Sequence, residues 1–210
     1  MKPRISFGKM MACAAAFLLL APAVQAQGRA EELHFTVDWQ MNAPLSTGFA
    51  DKIGVWGMNF EGAYDVTSRW SVGLFLNFHT NHRYIGRQTL ALSPTESLTT
   101  DQQRSAYQLP FGVQAAYKLY DGTHFKPYVG AKAGAAFVRN TTYYGTGGTY
   151  DEGWGFYIAP ELGFRVYPSK DCRFGFHVAG YYNYMTNRTA TLLDGIDGQS
   201  NVGFRVGVTF

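Results

Sequence analysis

The sequence predicts an all-β fold, namely an eight-stranded antiparallel up-and-down transmembrane β-barrel with short periplasmic turns and long extracellular loops. Eight segments alternate apolar and polar residues with period two, which is typical of strands that have one apolar face. The connections between these segments alternate long and short, as they do in outer-membrane barrels with an even number of strands. The chain ends in the same pattern, because every second residue from Val202 to Phe210 is apolar.

The first 26 residues have the features of a cleaved secretory signal. Basic residues precede an apolar run from Met10 to Val24, and the small residue Ala26 stands before the expected cleavage point. We therefore predict a signal peptide at residues 1–26 and a barrel domain at residues 27–210.

The composition of the remaining chain excludes several classes of protein. The signal segment contains three basic residues and no acidic one, and these three equal the formal net charge of +3 for the whole chain. The basic pI therefore gives no support to nucleic-acid binding. Cys172 is the single cysteine after residue 26, so an intrachain disulfide is not expected. No apolar run after residue 26 is long enough for a spanning helix.

The first four predicted strands carry the clearest alternation. The segment 33–42 alternates without a break over ten residues, which is about the length of a tilted strand that crosses a bilayer. A short turn at 67–69 joins the second and third strands. We predict strands at 33–42, 56–66, 70–79 and 106–120.

The last four strands include a weaker fifth one, whose outward positions are mostly alanine. The sixth contains Pro160 on its apolar face, and proline lacks the N–H group that a ladder needs, so we expect a local bulge there. The eighth closes the barrel by pairing with the first. We predict strands at 127–138, 154–166, 174–184 and 201–210.

The side of the sheet that meets lipid follows from its aromatic residues. A soluble eight-stranded barrel would turn its polar face outward, but that face has many glycines and few Lys or Glu. Aromatic residues of the apolar face lie near strand ends, where interfacial girdles are found. They are Trp39, Trp56, Trp70, Tyr107, Tyr117, Trp154 and Tyr184. We expect extracellular ligands to contact the long connections 80–105, 139–152 and 185–200.

The inward face would then collect charged residues in the lumen. They are Asp38, Glu61, Asp65, Lys118, Lys132, Glu161, Arg165, His177 and Arg205. An eight-stranded barrel is just wide enough for side chains to fill it, and buried charges need partners, so a packed polar plug is expected. Arg205 should face an acid such as Asp38 or Glu61. A narrow or gated pore is the alternative.

No catalytic, cofactor or metal site is predicted. Glu61 and Glu161 lie at similar depth and could act as an acid–base pair, but no nucleophile is near them. The histidines lack the spacing of metal ligands, and no phosphate-binding glycine motif precedes a helix. We therefore expect no enzyme activity, no cofactor and no nucleic-acid partner.

The strand number, the loop asymmetry and the terminal residues Phe204, Val206, Val208 and Phe210 resemble the small eight-stranded outer-membrane barrels, including OmpX-like proteins and the OmpA membrane domain. The resemblance implies a multi-pass protein of the bacterial outer membrane that contacts membrane lipids and lipopolysaccharide. It also implies that the terminal pattern is recognised by the barrel-assembly machinery.

The implied function is structural, in envelope integrity, or adhesion-like at the surface. A small channel for ions or apolar solutes and a lipid-modifying enzyme are the alternatives. The His-x-Ser motif of lipid A deacylases is missing after His79 and His177.

Overall fold

The computed structural model describes residues 33–46, 48–93, 95–120, 122–145, 147–169, 174–190 and 195–210, so the predicted signal peptide lies outside the described residues. The described chain contains eight strands and, within these ranges, no helix long and apolar enough to cross a membrane. The strands are β1 (Leu33–Pro44), β2 (Trp56–Asp65), β3 (Trp70–Ser93), β4 (Glu96–Lys118), β5 (Phe125–Tyr144), β6 (Gly147–Val166), β7 (Gly175–Ala190) and β8 (Gly195–Thr209).

The strands close into a ring in chain order, which confirms the predicted up-and-down barrel. The last strand pairs antiparallel with the first, with Val206 opposite Trp39. Phe210 extends this seam beyond β8, because its N–H donates to Phe35 O at 2.9 Å and its carbonyl accepts from Phe35 N at 2.7 Å. The end of the chain is therefore part of the closed sheet.

Most of the sequence predicted as long loops is strand, so the predicted ends of six strands were wrong. The segments 80–105, 139–152 and 185–200 continue the ladders of the β3–β4, β5–β6 and β7–β8 hairpins. The alternation of apolar residues stops because the outward face no longer meets lipid above the membrane, while buried inward positions such as Asn140 and Thr142 are polar. The backbone ladder continues without it, for example where Thr89 pairs with Thr99, and their hydroxyls lie 2.8 Å apart.

The bulge expected at Pro160 is absent. Pro160 pairs with Ala131 of β5, and the β5–β6 register runs unbroken through this position. On the other side, the β6–β7 pairs Ile158–Tyr184 and Glu161–Tyr181 share one register. The missing N–H group of the proline therefore interrupts the β6–β7 ladder without shifting it.

The outer face forms an apolar band with aromatic residues at both ends. The Trp70 and Tyr117 rings lie 5.1 Å apart near the short turns, and the Phe137 and Trp154 rings lie 5.3 Å apart toward the long hairpins. From Phe125 to Phe137 the strand rises about 3.3 Å per residue, which at a tilt of roughly 40° spans about 30 Å. That height matches the hydrocarbon core of a bilayer.

Candidate functional site

The lumen contains a buried cluster of alternating charges from four strands. Oε2 of Glu161 accepts from Lys132 Nζ at 2.9 Å and also pairs with Nη1 of Arg205. Lys132 pairs with Glu61 as well. The Lys132 and Arg205 side chains are completely buried. Each charge thus has an opposite charge in contact, which a low-dielectric interior requires.

A second chain of polar contacts leads into the same carboxylate. Nδ1 of His177 lies 2.7 Å from Oδ1 of Asp38, and its Nε2 lies 2.7 Å from the Tyr128 hydroxyl. That hydroxyl lies 3.1 Å from Oε1 of Glu161. Asn59 of β2 links Asp38 to Glu61, since its side-chain amide donates to Asp38 at 2.7 Å and to Glu61 at 2.6 Å. These contacts make one connected network.

The remaining predicted lumen charges lie outside this network or at its edge. Asp65 pairs with Lys118, and Nδ1 of His34 is 3.9 Å from the same carboxylate. The Arg165 guanidinium lies 5.0 Å from the centre of the Tyr128 ring, so it packs against the network through an aromatic face.

Amide side chains extend the network toward the extracellular end. Nε of Arg205 donates to Gln40 at 3.1 Å, and the Gln40 amide lies 3.1 Å from Nδ1 of His79. Nε2 of His79 lies 2.5 Å from Gln108, whose amide donates to Gln199 at 2.6 Å. These amides occupy inward positions of the same alternation, but only charged side chains were predicted to form the lumen network.

An apolar cluster fills the lumen beside the charges. The Phe75 and Tyr157 rings lie 5.5 Å apart, and Lys132 Nζ is 5.8 Å from the centre of the Phe75 ring. The cluster consists of Phe75, Ala136, Val138, Tyr157, Ala159 and Met185. Polar and apolar side chains therefore fill the lumen together, whereas the sequence predicted a polar plug.

The β1–β2 connection packs into the extracellular end of the lumen. Phe49 and Ala50 are buried against Ala106 of β4. Arg83 of β3 holds the connection through Asp51, with a nitrogen–oxygen distance of 3.1 Å. This segment therefore adds a further layer above the network.

Replacing Phe49 with alanine is expected to loosen this segment without unfolding the barrel. Burying a phenylalanine side chain contributes about 1.5–3 kcal/mol, so local opening should become about tenfold or more frequent. Limited proteolysis within residues 48–55 would measure it, with the heat-modifiable gel mobility of the barrel as the control. Unchanged cleavage would contradict the packing role of Phe49.

The structure thus joins six of the nine predicted lumen residues in one network, and Arg205 meets Glu161 rather than Asp38 or Glu61. The role of this network as a charge-paired plug of the lumen stays a prediction. Among the described residues, no group of three or more acidic, His or Cys side chains could hold a metal ion.

The terminal residues Phe204, Val206 and Phe210 are exposed on the outer face, and Val208 is partly exposed. Their role as an assembly signal stays a prediction.

A closed antiparallel barrel with an apolar outer band, aromatic residues at both ends of that band and a filled lumen defines a small integral outer-membrane barrel. The chain belongs to the family described as outer membrane protein beta-barrel domain, whose sequence profile matches residues 12–210. The resemblance to small outer-membrane barrels is therefore confirmed, and the protein spans the bacterial outer membrane with its strands.

Similar solved structures include Neisserial surface protein A, with 15% sequence identity and a TM-score of 0.51, over 84% of this chain and 95% of that one. Ail, the attachment invasion locus protein of Yersinia pestis, has 15% identity and a TM-score of 0.46, over 85% and 98% of the chains. OprG from Pseudomonas aeruginosa has 13% identity and a TM-score of 0.44, over 85% and 94%. A comparison with curated protein sequences found no match.

Proposed function

We propose that this protein is a non-enzymatic surface-interaction protein that binds an extended polypeptide at its protruding β3–β4 hairpin. The observation that carries the proposal is strand length. β3 has 24 residues and β4 has 23, whereas about 9–11 residues cross a membrane. More than half of this hairpin therefore lies outside the hydrocarbon core.

The hairpin offers open strand edges. Within the described residues, β2 pairs with β3 as far as Thr80, and β5 pairs with β4 as far as Gln102. The β3–β4 ladder itself continues to Ser93 and Glu96. Unpaired N–H and C=O groups at such edges favour pairing with an added strand, and this pairing is a general mode of peptide recognition.

The side chains near these edges suit a polypeptide partner. Tyr84 is 68% exposed and supplies an aromatic contact, and Thr89 and Thr99 are exposed on the same ribbon. Backbone bonds would supply affinity, and side-chain contacts of this kind would supply selectivity.

The filled lumen supports a closed barrel rather than a channel. Asp38, Lys132, His177 and Arg205 are completely buried and contact one another through the network, so no solvent reaches them. Planar-bilayer recordings of the purified protein should show no stable conductance. A stable conductance that changes in Glu61→Ala or Arg205→Ala would favour the channel.

The same burial argues against catalysis in the lumen. The acid, imidazole and phenol of Asp38, His177 and Tyr128 are in contact, but all three side chains are enclosed, and a substrate would need access to them. The lipid A acyl pattern of cells should be unchanged by the presence of the protein, and an altered pattern would support an enzyme.

Three expectations from the sequence remain parts of this proposal. They are cleavage of the signal peptide at residues 1–26, insertion by the barrel-assembly machinery through the terminal pattern, and contact of the outer face with lipopolysaccharide. The exposed terminal residues support the second expectation, and the apolar band with its aromatic ends supports the third.

Truncating the β3–β4 hairpin is expected to abolish binding and leave the barrel folded. Ile85 lies opposite Gln102, so residues 86–101 can be replaced by Asn-Gly, a two-residue hairpin turn. Bacteria carrying this variant should bind an immobilised unfolded polypeptide, such as reduced and alkylated lactalbumin, at least about tenfold less than bacteria with the full hairpin, because the open edges are gone.

The matched control shortens the β7–β8 hairpin, where Arg188 lies opposite Asp197 and residues 189–196 can be replaced by the same turn. This control should bind normally. Equal binding by the two truncated variants, or no binding by the full protein, would contradict the proposal.

A further inference from the structure

A pocket of about 470 Å³ opens on the β5–β6 hairpin. Its wall contains Arg139, Thr141 and Tyr143 from β5 and Gly148 and Tyr150 from β6. These residues continue the outward positions of their strands, since Arg139 follows Phe137 by two residues and Thr141 lies opposite Tyr150. The pocket therefore faces away from the lumen and is separate from the charge network.

The pocket lies just above the membrane. Phe137 and Trp154 belong to the aromatic group at the upper end of the apolar band, and Arg139 and Glu152 form the next outward pair above them. Headgroups and attached sugars occupy this height on the outside of a bacterial outer membrane, and aromatic residues with polar edges are favoured there.

The pocket wall combines two tyrosine rings with Arg139, whose ion-pair partner Glu152 lies beside the wall. The Arg139 guanidinium lies 4.4 Å from the centre of the Tyr150 ring, and its Nε is 3.1 Å from Oε1 of Glu152. Tyr143 and Tyr150 are each more than half exposed. A side chain at position 148 would meet the Tyr143 ring, since a Cβ there would lie 3.1 Å from its Cδ1, so Gly148 lets that ring lie across the strand.

We propose that this pocket is a saccharide-binding site. A sugar ring has apolar C–H faces that can stack on tyrosine rings, and hydroxyl groups at its edge that can bond to a guanidinium and a carboxylate. A free phosphate fits less well, because Glu152 already neutralises Arg139. A purely apolar ligand fits less well because it would cover this ion pair without bonding to it.

The saccharide can come from two sources that share this chemistry. One is the core sugars of lipopolysaccharide in the same membrane, and the other is a soluble or cell-surface glycan outside it. The site does not depend on the strand-pairing function proposed for the β3–β4 hairpin, and it uses none of the same residues.

The test titrates the full protein in phospholipid nanodiscs with two probes, core oligosaccharide released from lipopolysaccharide by mild acid and N-acetyllactosamine. Calorimetry should show binding of at least one probe to the wild-type protein. Tyr150→Ala should weaken it about tenfold, because it removes both the stacking face and the guanidinium contact. Tyr120→Ala removes an exposed tyrosine beside the turn between β4 and β5, at the other end of the barrel, and should leave saccharide binding unchanged.

Glu152→Gln keeps the shape of the pocket and should also weaken binding, so it replaces Tyr150→Ala if that variant does not fold. Binding of the core oligosaccharide alone would assign the membrane source, and binding of N-acetyllactosamine alone would assign the external one. Absence of binding to the wild-type protein, or equal binding by wild type and the folded pocket variants, would overturn the proposal.

Discussion

Replacing Lys132 with methionine is expected to destabilise the barrel by about 3–5 kcal/mol, the usual cost of removing one partner from a buried ion pair. Lys132 contacts both Glu61 and Glu161, and all three side chains are buried. Methionine has a similar volume, so the change removes the charge without leaving a large cavity. Glu61 would then lose its cation, and Glu161 would keep only Arg205.

Urea unfolding in lipid vesicles, followed by tryptophan fluorescence, would measure this change as a lower midpoint with an unchanged slope. The matched control is Arg188→Met, because the Arg188–Asp197 pair is 82% and 72% exposed. An exposed pair contributes about 0–1 kcal/mol, so the control should stay near the wild-type midpoint. Equal shifts for the two variants would show that the buried pairing contributes no more than a surface pair.

A second substitution separates the cost of the unpaired charge from the cost of lost packing. Glu61→Gln on the Lys132→Met background removes the carboxylate that the first change leaves without its cation. Residues in one network couple, so the double variant should be more stable than the sum of the two single effects predicts. Simple additivity would indicate that Lys132 acts through packing alone.

The sequence predicted which residues face the lumen, because the period of a strand assigns every second side chain to one face. It did not determine their partners, and Arg205 meets Glu161 instead of the expected Asp38 or Glu61. The partners depend on the register between neighbouring strands, which alternation leaves open by steps of two residues. Glu161 lies opposite Tyr181, which lies opposite Gly203, and this register brings Glu161 to Arg205 across β7.

The extracellular hairpins show a second limit of prediction from alternation, which concerns strand length. Alternation reports an apolar environment on one face, and it ends where the strands leave the membrane. Hydrogen bonding between strands has no such dependence, so β3 and β4 continue to Ser93 and Glu96 through a polar sequence. The pocket at Arg139 and Tyr150 lies in one of these continuations, the segment 139–152, which the sequence predicted as a ligand-contacting loop without indicating a pocket.

The contact between Asp38 and His177 has a cause that can be read only from the structure. The two residues lie on β1 and β7, on either side of β8, and both are opposite Gly207. A glycine between them has no side chain to keep them apart, so Nδ1 of His177 reaches Oδ1 of Asp38 across the strand at 2.7 Å.

Gly207→Ala is therefore expected to cost about 3–5 kcal/mol, combining overpacking of about 1–3 kcal/mol with the loss of a hydrogen bond to a buried charge. A Cβ at position 207 would lie 2.1 Å from the Val37 carbonyl oxygen and 2.5 Å from Oδ1 of Asp38. The carbonyl belongs to the β1–β8 ladder, so the closing seam has to shift along with the side chain.

Gly180→Ala provides the matched control, because a Cβ at that outward position meets nothing within 4 Å. The same substitution there should leave stability equal or raise it by about 0.5–1 kcal/mol, since alanine is less flexible than glycine in the unfolded chain. Urea midpoints in lipid vesicles compare the two variants, and folding yield by gel mobility is scored alongside. If both alanines behave alike, then β8 tolerates a side chain at 207, and the Asp38–His177 contact does not depend on the glycine between them.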